Sequence, residues 1–163
     1  MFEQSQYSGT LEEQYQLLHK QLDALLTGED DLISHLANAS ALLNQFLNEV
    51  NWVGFYLIKK EQLVLGPFQG LPACVRIPFG RGVCGTAIEK NQTLVVEDVH
   101  QFPGHIACDA ASRSEIVIPI RKNGELIGVL DIDSPITNRF HAEEASLLEN
   151  FVKILEKHLD SAS

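Results

Sequence analysis

The 163-residue chain predicts an α+β sandwich, with helices packed on a central, mostly antiparallel sheet of about six strands. Three observations predict it. Apolar residues recur at helical spacing in two N-terminal stretches and one C-terminal stretch. Between them the period changes to two, in short runs punctuated by turn residues. A single helical insertion interrupts those runs, which leaves helices at both ends and strands between.

Residues 11–27 read as an amphipathic helix, with Leu11, Tyr15, Leu18, Leu22 and Leu25 or Leu26 on one face. Thr10 and Glu13 fit a capping box, and Gly28 ends the helix. A second helix over about 31–48 carries Leu32, Leu36, Leu43 and Phe46 or Leu47, and opens on Glu29-Asp30-Asp31, which suits a helix N-terminus. Residues 52–58 and 62–66 read as a hairpin around Lys59-Lys60-Glu61, and 74–78 as a third strand. Gly80-Arg81-Gly82 breaks the chain before a short helix from Val83 to Lys90, and 93–96 is another strand. The stretch 98–113 is long and irregular, and its Phe, Ile, Cys and Pro-Gly content points to an ordered, functional loop. Strands 115–120 and 125–133 follow, joined through Arg121-Lys122-Asn123-Gly124. A helix over about 141–159 closes the chain, with Leu147, Leu148, Phe151, Ile154 and Leu155 inward. One domain is expected over 1–163: a helical segment 1–50, a sheet core with active-site loops 51–133, and a closing helix 140–160.

A net charge of −10 with no basic stripe excludes a nucleic-acid backbone as partner and disfavours an anionic membrane surface. The first residues are polar, with no basic start or apolar run, and no stretch reaches transmembrane length. A cytoplasmic protein is expected. In that compartment thiols stay reduced, so Cys74, Cys84 and Cys108 read as catalytic or metal-binding rather than structural.

Three readings of these cysteines stand side by side. Cys84, in Gly82-Val83-Cys84-Gly85, fits an inert buried thiol. His100, His105 and Cys108, with Cys74 or Cys84, supply enough ligands for zinc, but no Cys-x-x-Cys pair anchors such a site. Thiol redox catalysis is the third: Cys108 and Cys74 both sit at loops that can bring them together, so one can attack and another resolve the product as a disulfide.

Strand register gathers three acids. Asp131 and Asp133 share a face, with Leu130 and Ile132 on the other; Ile116, Ile118 and Ile120 share a face, with Glu115 opposite them. Matching the apolar faces requires paired residue numbers with an even sum. A three-residue loop, 122–124, with Gly124 left-handed, meets that condition and sets Glu115 opposite Asp131. Pro119 is the weak point, since it cannot donate to a ladder. Three carboxyls on one face hold at least one pKa up, which offers both a receptor for an ammonium group and a general acid. The bland alternative is a solvated acidic face. Trp52 alternates with Gly54 and Tyr56 on one strand face, either as core or as an aromatic wall for a methyl or thioether group.

Several segments together resemble the free methionine-(R)-sulfoxide reductases, which are GAF domains turned into enzymes. They are Gly66-Pro67-Phe68-Gln69-Gly70, Cys74, Gly80-Arg81-Gly82-Val83-Cys84-Gly85, Phe102-Pro103-Gly104-His105-Ile106-Ala107-Cys108-Asp109, Ser114-Glu115-Ile116 and Gly128-Val129-Leu130-Asp131-Ile132-Asp133-Ser134. The resemblance runs from about residue 50 to 140 and implies a GAF-like fold. It implies reduction of free methionine-(R)-sulfoxide, with electrons from thioredoxin and NADPH and no bound cofactor or metal. Cys108 is then the attacking thiol, Cys74 resolves it, and Cys84 matches a third cysteine that assists disulfide exchange. Glu115, Asp131 and Asp133 match the acids that hold the substrate ammonium and protonate the sulfoxide oxygen, and Trp52 and Tyr56 match the aromatic wall. The 105–109 loop, with Ile106 and Ala107, offers backbone N–H groups to the substrate carboxylate. Phe140-His141 departs from the usual Phe-Asp and weakens a helix cap. A homodimer through the terminal helices is expected. The rival is a non-catalytic GAF module that binds a small molecule or senses redox state.

Overall fold

The computed structural model describes residues 2–105 and 108–163. Ile106 and Ala107, expected at the substrate, lie outside the described residues. The elements are α1 (Leu11–Leu26), α2 (Leu32–Phe46), β1 (Trp52–Lys59), β2 (Gln62–Gly70), β3 (Arg76–Pro78), α3 (Gly82–Lys90), β4 (Leu94–Val96), β5 (Ser114–Lys122), β6 (Glu125–Ser134) and α4 (Ala142–Leu159). The six strands run in the order β3-β2-β1-β6-β5-β4, and every neighbouring pair is antiparallel.

The helix signals act as read. Thr10 and Glu13 form the reciprocal capping box at α1, and Asp31 caps α2 by accepting from the Ser34 N–H at 2.8 Å. Tyr15, Leu18, Leu22 and Leu26 are buried, but Leu11 at the first turn is not. His141 precedes α4 without a side-chain cap bond, in line with the departure noted there.

Helices α1, α2 and α4 cover one sheet face. That core joins Val53, Phe55, Ile116, Ile118, Leu130 and Ile132 to Tyr15, Leu36 and Phe151. The second face carries Trp52, Tyr56, Val117 and Val129 under α3. This face also bears the acids, because the parity argument holds.

The register itself needs correction. Asn123 and Gly124 both take positive φ (51° and 80°), so Lys122 pairs with Glu125 across a two-residue turn, not a three-residue loop. That is the turn Asn-Gly favours, since both positions must be left-handed. An irregularity between Ile120 and Arg121 then restores the even sum, pairing Ile120 with Gly128. Glu115 is therefore opposite Asp133 rather than Asp131, and Asp131 faces Val117. Pro119 lies past β4, which pairs only with Glu115–Val117, so no strand on that edge lacks a donor.

Candidate active site

Four strands and loops converge on one hollow. On β1, Trp52 lies opposite Asp133 and Gly54 opposite Asp131. Gly54 is required there: a Cβ would stand 2.3 Å from Phe68 Cβ and 2.8 Å from the Trp52 ring. With that space, Trp52 stacks on Phe68 (centroids 5.1 Å) and on Tyr56 (5.8 Å). Both wall residues also hold the strap between β2 and β3. Trp52 Nε1 donates to the Leu71 carbonyl at 3.1 Å, and the Tyr56 hydroxyl to the Cys74 carbonyl at 2.8 Å.

Cys74 and Cys108 form a disulfide, with Cα atoms 5.6 Å apart. This disulfide removes the zinc reading for the present state, since neither sulfur is a free thiolate. Asn51 Nδ2 donates to Asp109 Oδ2 (2.9 Å) and Ser112 Oγ (3.1 Å), which ties the end of the 98–113 loop to the start of β1. Early in that loop Asp98 caps a short 3₁₀ turn by accepting from the His100 N–H.

The hollow is small and partly open to solvent. Cys108, Cys84, Glu115, Asp131, Asp133 and Tyr56 line it, with Pro72 and Ala73 of the strap. Glu115 and Asp131 are buried and Asp133 half-buried, so the solvated-face alternative does not hold. Burial raises Glu115 well above the usual carboxylate range, reinforced by the charges of Asp131 and Asp133. Asp133 is likewise held well up by burial and then by Asp131, and Asp131 is raised by burial. Three carboxyls this close titrate together rather than one by one. Asp131 Oδ1 is buried without a hydrogen-bond partner among the described residues.

Cys84 sits in the first turn of α3, buried, with Sγ 4.0 Å from Glu115 Oε2. Burial and then Asp131 and Glu115 push its thiol well up, so it stays neutral. One oxygen each of Glu115 and Asp131 lies with Cys84 Sγ inside 4.8 Å, a spacing that suits a small cation, metal or ammonium alike.

Sequence reasoning missed Arg81. The Gly80-Arg81-Gly82 run explained itself as a turn, yet Arg81 lines the hollow, the one arginine or lysine to do so among the described residues. Phe68 as third member of the aromatic stack and Asn51 as the loop clamp were also missed. Alternation along β2 could have flagged Phe68; no local pattern marks Asn51.

The GAF domain family model matches residues 22–159. Protein YtsP of Bacillus subtilis is 61% identical over 161 residues, covering 98% of this chain and 99% of its own. Free methionine-R-sulfoxide reductase of Escherichia coli is 55% identical over 145 residues, covering 89% and 88%. The chain belongs to the free methionine-R-sulfoxide reductase family of GAF domains. A family structure, free methionine-R-sulfoxide reductase from Neisseria meningitidis in complex with its substrate, superposes with a TM-score of 0.91 at 43% identity, covering 98% of each chain. The expected α+β GAF fold is therefore the observed one.

Proposed function

We propose that the protein reduces free L-methionine-(R)-sulfoxide to methionine, with Cys108 as the attacking thiol. One observation carries the reading: Cys108, disulfide-bonded to Cys74, lines the hollow walled by Glu115, Asp131 and Asp133. The relatives' activity and the conjunction of thiol, aromatic wall and carboxyls support it.

In the reduced protein the Cys108 thiolate attacks the sulfoxide sulfur. A carboxyl, Glu115 or Asp133, gives a proton to the oxygen, a role their raised pKa suits. Oxygen passes to Cys108, which becomes a sulfenic acid, and methionine leaves with both electrons of the thiol. The Cys74 thiol then condenses with the sulfenic acid, forming the disulfide and releasing water. Trp52 and Tyr56 hold the methyl-bearing end of the substrate.

Specificity for the free amino acid follows from gripping two charges. The ammonium donates to Asp131 Oδ1 and its neighbours, displacing shared protons. The carboxylate meets the Arg81 guanidinium, with backbone N–H groups of the 105–109 loop beside it. A peptide-bound sulfoxide lacks both charges and leaves buried acids unpaired. Recycling by thioredoxin, a cytoplasmic setting, a homodimer, and action of residues 1–163 as one domain belong to the same reading. No described helix is long and apolar enough to cross a membrane.

Turnover on each epimer of free methionine sulfoxide and on its N-acetyl derivative tests the reading. The R epimer alone is consumed, and N-acetylation lowers kcat/KM about 100-fold or more. Equal rates on the N-acetyl compound contradict recognition by the acids. Ligand binding with no methionine formed favours the sensor alternative.

A further inference from the structure

Cys84 has no step in the chemistry of Cys108 and Cys74. It is 4% exposed, in the first turn of α3, with Sγ 4.0 Å from Glu115 Oε2. Close packing holds it there: a Cβ on Gly85 would stand 2.5 Å from the Pro78 carbonyl oxygen, so α3 lies tight against the end of β3. Glu115 comes from β5 and Asp131 from β6, so three separate elements fix the three side chains. One ligand atom of each lies within 4.8 Å of the other two, and no other group of three His, Cys, Asp or Glu does so among the described residues. A thiol beside two acids can be an inert neighbour, but Asp131 argues otherwise. It is 5% exposed, lines the hollow, and its Oδ1 has no hydrogen-bond partner among the described residues. A neutral Cys84 thiol donating to Glu115 leaves that oxygen unsatisfied. A substrate ammonium satisfies it but has no use for the sulfur. A soft cation uses all three atoms.

We propose that Cys84 Sγ, Glu115 and Asp131 form a binding site for a thiophilic divalent cation of the zinc class. Three protein ligands, with a fourth position facing the hollow that all three line, is the arrangement of zinc sites that keep a water. The sulfur selects zinc or cobalt(II) over magnesium and calcium, which prefer oxygen alone. On binding, the thiol and any protonated carboxyl release their protons to solvent, and metal–sulfur and metal–oxygen bonds form with no change of oxidation state. This is not the His100, His105 and Cys108 set, whose sulfur is held in the disulfide. The cation takes no part in the reduction. The reductase reading gives Glu115 and Asp131 to the substrate, so cation and substrate exclude each other, a consequence that rests on that reading.

The test uses the oxidised full chain, in which Cys84 is the sole free thiol of three cysteines. Cobalt(II) is added and thiolate-to-metal charge transfer is read by absorption, so the signal reports this sulfur alone. About one cobalt per chain gives the band, and zinc at the same concentration displaces it, whereas magnesium in about hundredfold excess does not. Cys84→Ser abolishes the band. Asp131→Asn, which keeps the sulfur, weakens zinc binding about tenfold or more, with circular dichroism checking that both variants fold. Absence of the band from the wild-type chain overturns the proposal, and that arm needs no variant. A band that survives Cys84→Ser, displacement of cobalt by magnesium, or unchanged zinc affinity in folded Asp131→Asn also overturns it. Reduced, metal-free protein that forms no methionine overturns the reductase reading instead and leaves the cation site standing.

Discussion

Cys74 and Cys108 are 34 residues apart in the chain, yet their Cα atoms stand 5.6 Å apart and their sulfurs are bonded. Cys108 lines the hollow that Glu115, Asp131 and Asp133 wall. The division of labour predicts that Cys74→Ser preserves the first turnover and stalls the next step. A sulfenic acid accumulates on Cys108, read by dimedone labelling and mass spectrometry. Absence of label, with normal thioredoxin-supported turnover, contradicts the pairing of roles.

The acid cluster predicts distinct kinetic signatures. Asp131→Asn removes the unpartnered acceptor's charge and raises KM about 10- to 100-fold, the scale of one hydrogen bond to a charged group. Glu115→Gln and Asp133→Asn remove candidate proton donors and lower kcat about 10²- to 10⁴-fold. Steady-state kinetics of the three variants decide it, and unchanged constants in all of them exclude the pocket.

The same carboxyls make stability depend on pH. Burial holds all three above their ordinary range, so the native state keeps protons that the unfolded chain releases. Their favourable contribution is complete below the unfolded carboxylate values, near about pH 4, and fades as pH rises through the raised native values. Ligand-free protein should therefore melt lower at pH 8 than at pH 5. Asp133→Asn should raise Tm at pH 8, by about 2–4 °C for each kcal/mol recovered, and flatten the slope. Thermal scans at both pH values check it; a variant less stable than wild type at pH 8 opposes the account.

Tyr56 joins the substrate wall to the strap through its bond to the Cys74 carbonyl. Tyr56→Phe keeps the ring and loses that bond, worth about 1 kcal/mol. Disulfide formation after the first turnover should slow about fivefold, with KM for the sulfoxide changed less than about twofold. Rapid-quench alkylation resolves the two steps, and a large KM change with normal disulfide formation reverses the assignment.

Much of the site was legible because period-two patterning fixes faces even when register is wrong. Parity alone put Glu115, Asp131 and Asp133 on one face and the isoleucines on the other. The pairing slipped because two arrangements satisfy parity: a three-residue loop, or an Asn-Gly turn with an irregularity further along. Nothing local to Ile120 or Arg121 announces the second. The Cys74–Cys108 contact joins two loops, whose geometry no periodicity encodes; there the family resemblance supplied the pairing. Arg81 stayed hidden because flanking glycines account for it locally, and only the fold brings it to the rim of the hollow.

The most direct test of the central claim needs no electron donor. Fully reduced protein is mixed with a small excess of free methionine-(R)-sulfoxide, and methionine and thiol state are measured together. The account predicts about one methionine per chain, formed as Cys74 and Cys108 become bonded, and none with Cys108→Ser. Methionine formed by Cys108→Ser at the wild-type yield, or a disulfide that excludes Cys108, contradicts it.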